Sequence, residues 1–325
     1  MKRRLETARE RWHVLQTAHY LATQVAFRTG LKRHQSGAVH GGWDVERTRA
    51  YDQEVFDDYL HYGQIPRDAL AGIRVLEIGP GANLGVALLF IAHGAREVIC
   101  VDRFESDRDD DFNRKLYAAL VNSLSGEARE RARACLDATG LITGGRIQYR
   151  FGSPVEEIDR AFEPRSFDLI VSRAVLEHVY SPEQAWRSMD HVLKPGGHML
   201  HKVDFRCHNF YEHLHPLHFL TVSDWLWNLV SAPDPTLNRA RLSRYTSLLA
   251  KYGYRDATYI THITGQDAEL RPHVKRTERG FQAETEQARM IERIRPHLAA
   301  PFRSSTIEDL VVNGAFVIAT KPDAH

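Results

Sequence analysis

The stretch Ile73-Arg74-Val75-Leu76-Glu77-Ile78-Gly79-Pro80-Gly81-Ala82-Asn83-Leu84-Gly85 decides how this chain is read. It opens with a short apolar run, the pattern of a buried parallel strand, and breaks at Gly79-Pro80-Gly81. It then enters Val86-Ala87-Leu88-Leu89-Phe90-Ile91-Ala92, the pattern of a buried helix. Glycine lacks a Cβ, so the backbone can turn sharply there and a ligand can approach it closely. The helix that follows points unpaired N–H groups at that ligand. A second strand, Glu97-Val98-Ile99-Cys100-Val101, ends in Asp102. That acid lies about 20 residues past the glycines, the offset at which a carboxylate meets ribose hydroxyls. Turn, helix and trailing acid together predict a nucleoside-binding site.

The chain outward from this unit has 325 residues, 43% hydrophobic and 26% charged, which suits a globular protein with a sizeable core. A formal net charge of +1 argues against a general polyanion-binding surface, so no nucleic-acid partner is expected. Cys100, Cys135 and Cys207 are too few and too widely spaced for a zinc pattern or a disulfide framework, and a reducing compartment is the default. No run reaches membrane-spanning length, and Glu6, Arg9, Glu10 and Arg11 stand where a signal peptide needs an apolar core. Cytoplasmic placement is the expectation by elimination. The oligomeric state is not readable. Six of the 18 histidines fall between 198 and 218.

Upstream, residues 5 to 28 and Asp44 to Tyr62 read as helices, and residues 1–66 are taken as a helical N-terminal cap. The plain role of the second helix is packing on the sheet; the functional one is that a face of it closes over the ligand. Downstream, the four aspartates of Arg103 to Asp111 read as a solvated acidic loop without calcium-loop spacing. Helices at Phe112 to Leu120 and Glu127 to Leu136 precede a third strand, Arg146 to Phe151, which stops at Gly152-Ser153-Pro154. Phe167 to Ser172 is a fourth strand, and Pro182 to Val192 a helix with proline in its first turn. The turn Lys194-Pro195-Gly196-Gly197 feeds a fifth strand, His198 to Val203. Five strands alternating with helices imply a parallel sheet covered on both faces, with ligands outside the carboxyl ends of the strands. Residues 204–245 are too long for a simple connection and read as a functional insertion holding the histidines, Trp225 and Trp227. Strands at 255–262 and 309–320 close the chain around a polar excursion at about 265–300.

With these residues in hand, the chain resembles the class I S-adenosylmethionine-dependent methyltransferases, particularly the type 11-like group. The resemblance is carried by Val75 to Gly81, by Asp102, by Phe167-Asp168-Leu169-Ile170-Val171-Ser172-Arg173-Ala174-Val175-Leu176-Glu177-His178, and by Leu193-Lys194-Pro195-Gly196-Gly197. It covers about 67 to 205 well and the last strands loosely. It implies an α/β fold, a Rossmann-like doubly wound seven-stranded sheet with the last strand antiparallel. The methyltransferase domain would span 67–325, with acceptor-side insertions at 204–245 and 265–300. It implies S-adenosyl-L-methionine as cofactor, with Glu77, Gly79 and Gly81 at the methionine end, Asp102 on the ribose, Ser153 flanking adenine and Ser172 near the sulfonium. The family often carries an acid after the third strand; Gly152-Ser153-Pro154 stands there instead.

A sulfonium methyl is already activated, so transfer is governed by alignment and proximity. A hydroxyl acceptor must also lose a proton, which a positioned base assists. His208 is the candidate base and Asp204 its orienting partner, with His213, His215 and Arg239 as candidate acceptor contacts. No metal is expected, because Asp204 and His208 match no ligand spacing. The reading that follows is O-methylation of a small molecule or sugar acceptor. A macromolecular methyltransferase, a noncatalytic cofactor-binding partner and a nicotinamide dehydrogenase stay open. Ser172-Arg173-Ala174-Val175 replaces any Asn-Pro-Pro-Tyr-type motif, which disfavours the first, and Glu77 with Lys194 to Gly197 disfavours the last.

Overall fold

The computed structural model describes residues 42–207, 215–231, 237–279 and 285–323, with short helical pieces between 18 and 31. Helix α1 spans Val45–Gly63. Asp44 caps it by accepting a hydrogen bond from the Arg47 backbone N–H at 2.8 Å. Strand β1, Arg74–Ile78, leads through the glycine turn into helix α2, Gly85–Ala92. Every residue of α2 is buried, as a helix apolar on all sides must be. Then come β2, Glu97–Val101, helix α3, Asp110–Ser123, helix α4, Gly126–Arg133, and β3, Ile147–Arg150. Strand β4, Phe167–Arg173, is followed by helix α5, Pro182–Val192, which runs directly into β5, Leu193–Asp204.

The sheet order is β3-β2-β1-β4-β5-β9-β7-β8. Strands β1 to β5 pair in parallel. Strand β9, Val312–Thr320, inserts antiparallel beside β5 and also pairs with β6, Arg255–Asp256, and β7, Tyr259–Ile263. Strand β8, Val274–Lys275, extends the edge against β7. The mixed α/β architecture with one antiparallel insertion is the expected one. The sheet has nine strands rather than seven, because the two-residue strands β6 and β8 are too short to leave a periodic signal. The expected turn at Lys194 to Gly197 is instead the start of β5, and residues 307–311 form a short helix ahead of β9. The acidic run is not simply a solvated loop: Asp109 caps α3 by accepting from the Phe112 N–H at 3.0 Å, and Asp110 and Asp111 sit in its first turn. Among the described residues, no helix is long and apolar enough to cross a membrane.

Side chains alternate across the pleat and build one core on each face. Leu76, Ile78, Ile99 and Ile170 face a core shared with α5, through Trp186 and Met189. Val75, Val98, Cys100, Leu169, Val171 and Leu200 face a second core shared with α1, α2 and α3. Helix α1 contributes Val55, Phe56 and Tyr59 to that core and so packs on the sheet. Phe56 stands edge-on to Phe90 of α2, with ring centroids 5.1 Å apart.

Since Phe56 is fully buried at the α1–α2 contact, Phe56→Ala should cost about 3–5 kcal/mol. Urea unfolding followed by circular dichroism checks this; a loss under about 1 kcal/mol would show that α1 is not part of the core.

Candidate active site

Strand order reverses direction at β1, with β2 on one side and β4 on the other, and a crevice opens above their carboxyl ends. A cavity of about 340 Å³ lies there. Its floor is the glycine turn, from Glu77 and Gly79 through Asn83 to Val86. Helix α1 roofs it with Thr48, Tyr51, Asp52, Val55 and Tyr59, and Trp43 stands at the entry to that helix. Asp107 and Asp109, Phe112 and Asn113 form one wall, and Arg173 with Ala174 the other.

The turn is held to the strands by the Gly79 N–H, which donates to the Val101 carbonyl at 2.8 Å. Gly79 and Gly81 have φ of +68° and +76°, the left-handed region open to glycine. A Cβ at Gly79 would also clash with Cγ2 of Val175. The expected reason for glycine, room for a ligand, is thus joined by a backbone requirement.

Glu77 is buried in this site, with the Cys100 thiol donating to Oε2 at 3.4 Å. Burial pushes its carboxyl up to about 7, and the Cys100 hydrogen bond and the Arg108 charge only partly oppose it. Asp52, from α1, is buried beside it, and its carboxyl is raised well above the usual range by burial and by the Glu77 charge, with the Asn83 side chain opposing. Arg108 lies over the Tyr149 ring, 3.6 Å from its centroid, and donates to the Gly81 carbonyl at 3.4 Å. Arg173 donates to Asp58 of α1 at 3.0 Å, and Arg271 joins the same carboxylate at 2.7 Å. Among the described residues, the cavity lining therefore holds four acids, Asp52, Glu77, Asp107 and Asp109, against one arginine, Arg173. That balance suits a cationic ligand.

Asp102 and Ser153 come together at the ends of β2 and β3, where the Ser153 N–H donates to the Asp102 carbonyl at 3.0 Å. Both lie beyond the cavity lining, with the Ser106 hydroxyl 3.5 Å from the Asp102 carboxylate. Ser172, expected beside the sulfonium, is buried and shares a 2.8 Å hydrogen bond with His201 Nδ1. The pleat sets this direction: Ser172 follows Ile170 onto the α5 face, and Arg173 follows Val171 onto the α1 face. Arg239, expected on the acceptor, is buried instead. It donates to the Val222 carbonyl at 2.6 Å, pairs with Asp224 and stacks on Trp227 and Phe302. His215 is likewise committed to backbone, with Nδ1 accepting from Leu217 N–H at 3.1 Å and Nε2 3.3 Å from the Met290 carbonyl. Asp204, at the end of β5, is gripped by the Arg206 fork, at 2.6 Å from Nη2 to Oδ2. Its N–H donates to Glu177 Oε1 at 3.3 Å, and burial raises the Glu177 carboxyl. His208 and His213 lie outside the described residues. Among the described residues, no three histidine, cysteine or acidic side chains cluster as metal ligands.

Asp52 and the other α1 residues had no motif to mark them; their only signal was the prediction that one face of this helix covers the ligand. The buried Glu77 carboxyl has a consequence for stability. Its folded value is raised above that of an unfolded glutamate. Its contribution is therefore fully present below the unfolded value of about 4.3 and is lost as pH rises to about 7. The ligand-free protein should lose a few kcal/mol between pH 5 and pH 8 through this group, because each tenfold difference in proton affinity between the folded and unfolded carboxyl is worth about 1.4 kcal/mol. Glu77→Gln should flatten that dependence in urea unfolding; an unchanged slope would remove Glu77 as its source.

A family model described as "Methyltransferase domain" matches residues 48–259, well over half of the chain. No curated protein sequence matches it. Among solved structures, the YcgJ protein of Bacillus subtilis has 16% identity and a TM-score of 0.40, covering 81% of this chain and 99% of its own. Phosphoethanolamine N-methyltransferase 2 of Haemonchus contortus, in complex with phosphomonomethylethanolamine and S-adenosylhomocysteine, has 19% identity and a TM-score of 0.44, covering 87% of this chain and 54% of its own. A Galdieria sulphuraria protein described as a sarcosine dimethylglycine methyltransferase has 14% identity and a TM-score of 0.45, covering 94% and 99%. Similarities this distant assign no residue, acceptor or partner here. The family match spans the glycine turn, Asp102 and the roofing helix from Thr48 onward: the chain belongs to this methyltransferase family and is an S-adenosylmethionine-dependent methyltransferase.

Proposed function

We propose that the chain methylates an oxygen of a small acceptor, of the size of a sugar or a substituted phenol. The observation that carries this reading is the cover: α1 contributes Thr48, Tyr51, Asp52, Val55 and Tyr59 to the lining above the glycine turn, with Trp43 beside them, so the site is enclosed by aromatic side chains. A covered site with aromatic walls suits a small acceptor. A nucleic-acid acceptor would be served by an open basic groove, and acids outnumber arginine among the described lining residues.

S-adenosylmethionine, when bound, supplies a methyl group already activated on a sulfonium. The residues of this chain then have three tasks. Glu77, Asp52 and the glycine turn receive the positively charged end. Asp102 holds the ribose, with Ser153 flanking the base. Arg173, fixed by Asp58 and backed by Arg271, gives the acceptor wall a rigid cation. His208, four residues past the end of β5, is the proposed base for the acceptor hydroxyl, and Asp204 is its orienting neighbour in the chain.

Asp102→Ala should weaken S-adenosylmethionine binding by about one to two orders of magnitude in calorimetry, since charge-assisted hydrogen bonds contribute roughly 1.5–3 kcal/mol. A loss below twofold would take the ribose away from Asp102. For the acceptor, S-adenosylmethionine carrying a labelled methyl group is incubated with sugars, nucleotide sugars, phenols, RNA and protein. Label should enter a small hydroxyl compound; label in RNA or protein alone would replace this reading with a macromolecular one. On the acceptor found, His208→Ala should cut turnover by roughly 10²–10⁴-fold with cofactor affinity intact. Full activity would leave transfer to alignment alone.

A further inference from the structure

The acid in the roof is the feature the family motifs do not account for. Asp52 lies midway along α1, outside the glycine turn and outside the strands that supply the motifs. It lines the cavity, is only 3% exposed, and its Oδ2 has no hydrogen-bond partner. A buried carboxylate oxygen without a partner is costly and calls for an explanation. The local backbone is shaped around it: a Cβ at Gly85, the first residue of α2, would collide with Oδ2. Gly85 does not have a positive φ, so the room it leaves for Asp52 is the evident reason for glycine there. Glu77 faces the same space, and Arg173 stands on the opposite wall of the cavity.

We propose that Asp52 binds the α-ammonium group of the cofactor's methionine moiety, so that α1 closes the site by a direct ionic contact. This rests on the glycine turn as the cofactor site. The amino-acid tail of that cofactor carries one cation and one anion. Beside Asp52 and Glu77 its carboxylate would be repelled and its ammonium attracted. The ammonium brings three donors, enough to bond the Asp52 carboxylate and to share Glu77. The carboxylate of the tail is then turned away from this acidic pair. In the absence of a cation, burial raises both carboxyls and so favours their neutral forms.

The test compares S-adenosylhomocysteine with its deaminated analogue, which keeps the carboxylate and lacks only the ammonium. Calorimetry is run on the full chain and on Asp52→Asn, an isosteric change. Asp52→Asn should bind S-adenosylhomocysteine roughly ten- to a hundredfold more weakly and the deaminated analogue within twofold of wild type. Gly85→Ala, which displaces Oδ2, should show the same selectivity with thermal unfolding as the check on folding. Equal weakening toward both ligands would make Asp52 a structural residue and overturn the proposal, as would unchanged affinity for S-adenosylhomocysteine. A wild-type chain that bound neither compound would contradict the cofactor site itself, an outcome separate from loss of selectivity in the variants.

Discussion

A β-strand turns successive side chains to opposite faces, and at the end of β1 that alternation governs everything above it. Val75 and Glu77 point toward α1, while Leu76 and Ile78 point toward α5. The register with β2 and β4 carries the same parity across the sheet, pairing Glu77 with Cys100 and Val171. Continued by two residues, it delivers Arg173 to the cavity and Ser172 to the opposite core. One pleat thus decides which polar side chains line the cavity and which are spent on packing.

The acidic site is tolerable because its surroundings are not. Around it, charges are matched in networks that tie α1 to the sheet: Arg173 and Arg271 share Asp58, and Glu54 joins them. Beside them Lys202 of β5 pairs with Glu269, which also bonds His273. Burial lowers the Lys202 amine to about 8, with Arg173 adding to the effect and Glu269 opposing it. Within this frame the buried acids Asp52 and Glu77 both line the cavity, and burial raises both carboxyls there. A frame that matches the charges around a cavity and leaves two adjacent carboxyls under-compensated inside it marks that place for function.

The charged residues of the insertion show the opposite outcome. Arg239 and Arg241 have the composition of an acceptor grip, yet both are buried and spend their donors on carbonyls. Arg239 reaches Val222, and Arg241 reaches Phe205 and Asp309. Burial depresses both to about 10, with Asp224 opposing for Arg239 and Asp309 for Arg241. They satisfy carbonyls at the ends of elements and in the connections between them, Arg241 at the junction of the 307–311 helix with β9.

What the sequence by itself determined was the part written in local periodicity and turn chemistry. The apolar runs, the glycines at 79 and 81 and the acid at 102 were enough for the strand–turn–helix unit and the parallel half of the sheet, while the antiparallel return came only from the family resemblance. Their physical causes act over a few residues: hydrophobic alternation, left-handed backbone and capping. Only the tertiary structure decided the roof and the polar partners. Asp52 lies 25 residues from Glu77 in sequence, and no local rule says that a helix face will lay one acid beside the other. Ser172 and Arg173 are neighbours in the chain, and only the packing of α1 on one face and α5 on the other tells which faces the cavity. The two-residue strands β6 and β8 and the burial of Arg239 likewise depend on partners far along the chain, because a side chain's role is fixed by what the fold sets against it.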